Sequence, residues 1–211
     1  YKRQGSEGCG KSTVIEEVSQ KIIPYLSPST LVCLREPGSD QVSEKIRKIL
    51  LDPENKDHLQ PLTEFLLFEV ARSQFVVNIL KPELEQNKVV LCDRYFDSTT
   101  AYQGYGRGIP LEQVEYLNHL ASQGINPDLT LLLDLPVEIG LERASATGKK
   151  LDRIEQASLD FFERVRQGFL ETAKLNSDRF RVIDSTQPKE AVVEEAFKEI
   201  YSFLYVKGRI Y

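Results

Sequence analysis

Methionine is absent from all 211 residues, and the first residue is Tyr1. The expectation is of a chain that does not begin where translation began. Cysteine is scarce as well: Cys9, Cys33 and Cys92 are odd in number, widely spaced, and form no C-x-x-C pair or histidine-partnered pattern. That spacing speaks against a disulfide framework and a cysteine-based metal site, and predicts free thiols in a reducing cytoplasm. No apolar run approaches the roughly 20 residues of a membrane-spanning helix, and the polar start carries no secretory hydrophobic segment. Gly (12) and Pro (10) are modest, which excludes collagen-like and low-complexity classes. Positive charge does not dominate: 27 Lys+Arg stand against 32 Asp+Glu, a net charge of -5, so no nucleic-acid partner is expected.

What is present suffices for one ordinary core, with 41% hydrophobic residues, no internal repeat and no linker, so 1–211 reads as a single domain. Apolar, β-rich runs fall at 30–34, 89–92, 129–135 and 180–183. Most are apolar on successive residues, as strands covered on both faces are. Helical spacing fills the intervals. It links Val42, Ile46, Ile49 and Leu50, spans 62–86 with a break near Pro82, covers 111–123 and 155–174, and links Val193, Phe197, Ile200, Tyr201 and Leu204 behind Pro188. Alternating strands and helices predict a doubly wound α/β fold, a parallel sheet with flanking helices. Gly104-Tyr105-Gly106-Arg107-Gly108 reads as a turn-rich connection.

Gly5-Ser6-Glu7-Gly8-Cys9-Gly10-Lys11-Ser12 matches G-x-x-x-x-G-K-[ST], followed by Thr13 and a helix with apolar Val14, Val18 and Ile22. Glycines let backbone N–H groups turn around phosphate oxygens, the helix terminus adds its dipole, Lys11 reaches the outer phosphates and Ser12 can ligate Mg²⁺. Only Tyr1 to Gln4 precede this loop, and they are too polar for a buried central strand, so the first strand is expected to be truncated. No N-K-x-D guanine-reading motif is present. The apolar 89–92 run leads into Asp93-Arg94-Tyr95, where Asp93 can hold Mg²⁺ and Arg94 would point into the crevice at the sheet's carboxyl edge. Arg35 follows another strand in the same way. Two strand-end arginines favour a monophosphate acceptor, already an oxyanion, although Glu36 keeps a general base available for a hydroxyl acceptor. Phe68 and Arg72, four apart on one helix face, bring an aromatic plane and a planar donor fork to one flat ligand.

These residues resemble thymidylate kinase, the family that phosphorylates dTMP with ATP in dTTP synthesis. The resemblance runs from Gly5 to about Phe197 and includes Arg35-Glu36-Pro37-Gly38, the 65–72 helix segment, Asp93 through Gly104, and Leu151-Asp152-Arg153-Ile154-Glu155. It implies that Phe68 stacks on thymine, Arg72 bonds O4, Tyr102 packs under the sugar, Glu7 contacts the 3′-hydroxyl, and Arg35 and Arg94 hold the dTMP phosphate. Pro37, Ser98, Thr99 and Gln103 complete the acceptor site, and the loop with Thr13 and Arg143 takes ATP. It also implies a lid over 143–153 that supplies a catalytic cation from Lys150 or Arg153, although Ser145 and Thr147 stand where lid arginines often occur. A cytoplasmic homodimer follows from the same resemblance, joined by an apolar face on the helix containing 65–77. The rival readings are a deoxynucleoside kinase and a non-catalytic nucleotide-binding protein.

Overall fold

The computed structural model describes residues 2–4, 10–146 and 151–210. Its strands are β1 (Lys2–Gln4), β2 (Leu31–Arg35), β3 (Val89–Asp93), β4 (Thr130–Asp134) and β5 (Phe180–Asp184). All pair in parallel in the order β2-β3-β1-β4-β5. The polar start was not expected to form the central strand, yet it does: Lys2 lies opposite Cys92 on β3 and Thr130 on β4. The ladder is made by backbone groups, so the flanking strands can place this segment whatever its side chains.

One face of the sheet is covered by α1 (Lys11–Ile22) and α9 (Lys189–Val206), where Val14, Val18 and Ile22 pack with Leu131, Leu133, Val193 and Ile200. Leu132 points the other way, onto Phe162, Val165 and Phe169 of α8 (Leu159–Leu175). This alternation over two apolar layers is why the strands read as continuous hydrophobic runs. On the second face α2 (Gln41–Leu51), capped by Asp40, docks on α3 (Pro61–Phe75) through Ile46, Leu50 and Ala71, with Ser43 Oγ donating to Ala71 O at 2.9 Å.

The expected break near Pro82 is instead a wide π-type turn, Val76–Leu80, that leads without interruption into α4 (Lys81–Glu85). Pro82, which has no N–H to bond back along the helix, lies directly after this wide turn. The 104–108 reading is also corrected. Residues Thr100–Gly106 continue α5 (Phe96–Thr99) as π-helical turns pressed against α8. The glycines permit this approach: a Cβ on Gly106 would lie 2.7 Å from Phe161 Cε2 and 2.8 Å from Val165 Cγ2. Gly106→Ala is therefore expected to cost about 1–3 kcal/mol by overpacking, read as a lower urea midpoint at unchanged slope. Unchanged stability would mean that the close approach is not needed.

Two further helices are α6 (Leu111–Ser122) and α7 (Val137–Ala146). Of the segment 143–153 expected as a lid, Arg143 lies within α7, and Arg153 N donates to Leu51 O at 3.1 Å, at the end of α2. Of the lid cations, Lys150 lies outside the described residues. The helix expected from 155 starts at Leu159, because Asp152 Oδ1 closes a turn onto the amides of Ile154 and Glu155, and Ser158 Oγ caps α8 at Phe161 N. No helix among the described residues is long and apolar enough to cross a membrane.

Candidate active site

The site is built outward from the start of α1. Gly10 takes φ 78°, a left-handed conformation natural to glycine, and delivers the chain into the helix. The first turn of α1 carries Lys11 and no acid, whereas α2, α3, α6, α7, α8 and α9 each carry an acidic residue in the first turn. A positive helix terminus reinforced by a lysine suits a bound anion. The rest of the expected phosphate loop, Gly5, Ser6, Glu7, Gly8 and Cys9, lies outside the described residues.

Lys11 and Ser12 open onto a cavity of about 230 Å³ at the carboxyl edge of the sheet. Its walls bring together Pro37, Phe68, Arg72, Asp93, Arg94, Ser98, Thr99, Tyr102 and Gln103, each expected there from sequence. Arg94 ends β3 with φ 66°, a left-handed conformation rare for a side chain of this size. Its guanidinium lies over the Tyr102 ring at 5.2 Å, with Nη1 3.3 Å from Ser98 Oγ and Nη2 3.5 Å from Tyr102 Oη.

Arg72 is fully buried. Nη1 donates to Asn118 Oδ1 at 2.9 Å and to Glu69, while Nη2 donates to Thr99 Oγ1 at 2.8 Å and lies 3.0 Å from Glu36 Oε1. Burial opposes its charge, yet the neighbouring Glu36 and Glu69 carboxylates outweigh that and keep the guanidinium firmly protonated. The guanidinium also stacks 5.6 Å from the Tyr95 ring centroid. Glu36 is thereby tied into a buried ion pair, which weakens its candidacy as a general base.

Asp93 Oδ1 is buried and receives no hydrogen bond from the described residues. Asp93 and the Ser12 hydroxyl line the same cavity. No cluster of three His, Cys, Asp or Glu residues suited to a metal exists among the described residues. One hard carboxylate plus one hydroxyl is nevertheless a set that fits Mg²⁺, which completes its shell from water and phosphate oxygens.

Two expected site residues are elsewhere. Arg35 does not line the cavity; its Nη2 donates to Glu44 Oε1 at 2.6 Å, and the side chain is half exposed. The Glu44 carboxylate holds it on the α2 side. Arg47 takes up a position in the wall, its Nη1 donating to Pro37 O at 2.9 Å. Arg153, expected as a lid cation, is buried, with Nε donating to Leu50 O at 2.7 Å and Nη2 to Glu64 Oε2 at 2.5 Å. Sequence reasoning also missed Asp152, Ile154 and Glu155 in the wall, and Glu64 behind it. Glu64 stands four residues before Phe68, on the face already singled out by Phe68 and Arg72.

A second cavity, of about 490 Å³, lies on the other side of the α1 terminus. Gly10, Thr13 and Arg143 line it together with Ser185, Thr186 and Gln187 from the turn after β5, which sequence reasoning had not singled out. Arg143 Nη1 donates to Ser185 O at 2.8 Å, which fixes its side chain along this wall.

Comparison with known proteins agrees with this layout. The family model described as Thymidylate kinase matches residues 4–196. The chain is 46% identical over 202 residues to the thymidylate kinase of Lactobacillus acidophilus, covering 93% of this chain and 91% of that one. It is 46% identical over 189 residues to the thymidylate kinase of Geotalea uraniireducens, covering 87% of each. The crystal structure of thymidylate kinase from Ehrlichia chaffeensis matches with a TM-score of 0.74 at 32% identity, over 94% of this chain and 96% of that one. Since the family match runs from the end of β1 through β2 to β5 and the residues of both cavities, the chain belongs to the thymidylate kinase family.

Proposed function

We infer that this chain transfers the γ-phosphoryl group of ATP to dTMP, giving dTDP and ADP. The observation that carries this reading is the division of labour at the start of α1: Gly10 and Thr13 open on one cavity, Lys11 and Ser12 on the other. A nucleotide whose sugar and base lie along Arg143 and Ser185 would extend its phosphates over the helix terminus toward an acceptor beside Arg94. Lys11, Arg94 and Arg47 offset the repulsion between two anionic reactants, so catalysis is positioning and charge neutralisation. Ser12 and Asp93 would hold Mg²⁺, which would supply charge neutralisation at the donor phosphates. The monophosphate acceptor needs no base, in keeping with the sequestration of Glu36 by Arg72. Phe68 offers its ring to the acceptor base, and Arg72 Nε, left without an acceptor by the described residues, supplies a donor to O4, a group that is itself a donor in cytosine. Glu7, Lys150 and the lid cation function belong to the same proposal. The cytoplasm, where ATP is abundant, is the proposed location.

A coupled ADP-release assay across dTMP, dUMP, dCMP, dGMP and thymidine tests this. The expected result is the highest kcat/KM with dTMP and loss of transfer on chelation of Mg²⁺ by EDTA. Preference for thymidine would make the chain a deoxynucleoside kinase, and ATP binding without acceptor-stimulated ADP release would make it non-catalytic.

The proposed assembly is a homodimer. Leu62, Leu66, Val70 and Val77 are all about half exposed and follow the outer face of the α3 helix and its continuation, opposite Phe65, Glu69 and Arg72. Val70→Glu is expected to convert a dimer into a monomer in light scattering. A monomeric unsubstituted protein would remove the proposal.

A further inference from the structure

Glu64 is buried and does not line the acceptor cavity, yet it receives hydrogen bonds from three directions. Arg107 donates through Nε at 3.1 Å and Nη2 at 3.0 Å, Arg153 through Nη2, and Gln103 through Nε2 at 2.9 Å. Burial would raise the carboxyl pKa, but these donors and the charges of Arg107 and Arg153 outweigh it and hold the pKa below the usual range. An ionised carboxylate has no proton to give, so only the amide nitrogen of Gln103 can face it. That leaves the Gln103 amide oxygen to the remaining side, and Gln103 lines the cavity.

We propose that Glu64 is a positioning residue for base selectivity: acting through Gln103, it fixes which end of the amide meets the acceptor base. The amide oxygen accepts from a ring N–H and repels a ring nitrogen lone pair. Thymine and uracil carry a hydrogen at N3, whereas cytosine presents a lone pair there. With the Arg72 Nε–H opposite O4, the cavity then reads adjacent acceptor and donor positions on one pyrimidine edge. The inference explains why a carboxylate behind the wall is clamped by two arginines from distant segments: its ionised state sets the amide orientation. It rests on the proposed reading of the cavity as the dTMP site.

The test compares dTMP and dCMP kinetics for the unsubstituted protein, Glu64→Gln, Gln103→Met and the double variant. A glutamine at 64 can offer either end of its own amide, which frees Gln103 to turn. Expected is a fall of about tenfold or more in the ratio of kcat/KM for dTMP over dCMP, with a raised KM for dTMP and an unchanged KM for ATP. Because Glu64 acts through Gln103, the Glu64→Gln loss is expected to vanish in the Gln103→Met background. A purely structural Glu64 would lower the melting temperature, leave the ratio unchanged and add to the Gln103→Met effect, and that result overturns the proposal. If Glu64→Gln fails to fold, Glu64→Gln with Arg153→Gln keeps the net charge of the cluster and is held to the same criteria. An unsubstituted protein inactive on dTMP would instead overturn the functional reading, a separate outcome.

Discussion

Arg72→Met is expected to lose about 3–5 kcal/mol of folding stability, and the folded fraction to lose on the order of 10²–10³ in kcat/KM for dTMP. The stability loss follows from what would be left behind. Glu36 and Glu69 are 1% and 5% exposed, and both carboxylates face the same guanidinium. Removing the cation leaves two like charges in a space closed to water, which costs far more than the lost hydrogen bonds to Thr99 and Asn118 alone. The kinetic loss follows from the place of Arg72 in the cavity wall and from its Nε, buried without an acceptor among the described residues. Urea unfolding reads the first effect, and steady-state rates with dTMP and dCMP read the second. Stability lost with dTMP kinetics retained would make Arg72 the centre of a structural ion cluster and remove its role toward the base. Arg72→Lys separates the two further: it restores a charge between the carboxylates but not the planar fork, so stability should recover more than selectivity.

The cavity was legible in the sequence where its residues are close together along the chain. Phe68 and Arg72 share a helix face by spacing alone, and Arg94 through Gln103 follow one strand end. The runs at 89–92 and 129–135 were equally plain, because β3 and β4 are buried along almost their whole length and leave no polar alternation to confuse them. What could not be read was pairing across distance. Arg35 and Arg153 both look like cations at the edge of the crevice, but one is held by Glu44 on α2 and the other by Glu64 on α3. Either choice depends on how helices dock, which no local pattern encodes. Arg47 was hidden for the same reason, since only the packing of α2 on α3 turns it to the cavity. The 100–106 segment escaped because π-helical turns fit neither the helical nor the strand period, and its glycines resemble loop punctuation until the close packing of α8 is known.

Arg94→Gly should lose activity while relieving a strained backbone. A left-handed backbone costs a residue with a Cβ roughly 1–2 kcal/mol, and glycine takes the same conformation freely. Arg94 at φ 66° carries that cost where β3 ends, and the turn it makes places the guanidinium beside Ser98 and Tyr102, across the cavity from Lys11. Its contacts there, 3.3 Å to Ser98, 3.5 Å to Tyr102 and the guanidinium over the Tyr102 ring, are lost in any truncation of the side chain. Relief of the backbone should therefore leave Arg94→Gly more stable than Arg94→Ala by about 1 kcal/mol. Transfer to dTMP should fall by about 10²–10³-fold, since one of the cations that offset the phosphate repulsion is gone. Arg94→Ala provides the contrast, with the same loss of transfer but no relief of the backbone. Melting temperatures of the three proteins, set against their kcat/KM values, decide the matter. A glycine variant destabilised like Arg72→Met would identify Arg94 as a support of the fold, whereas a stable, inactive one would mark a strained residue kept for its charge.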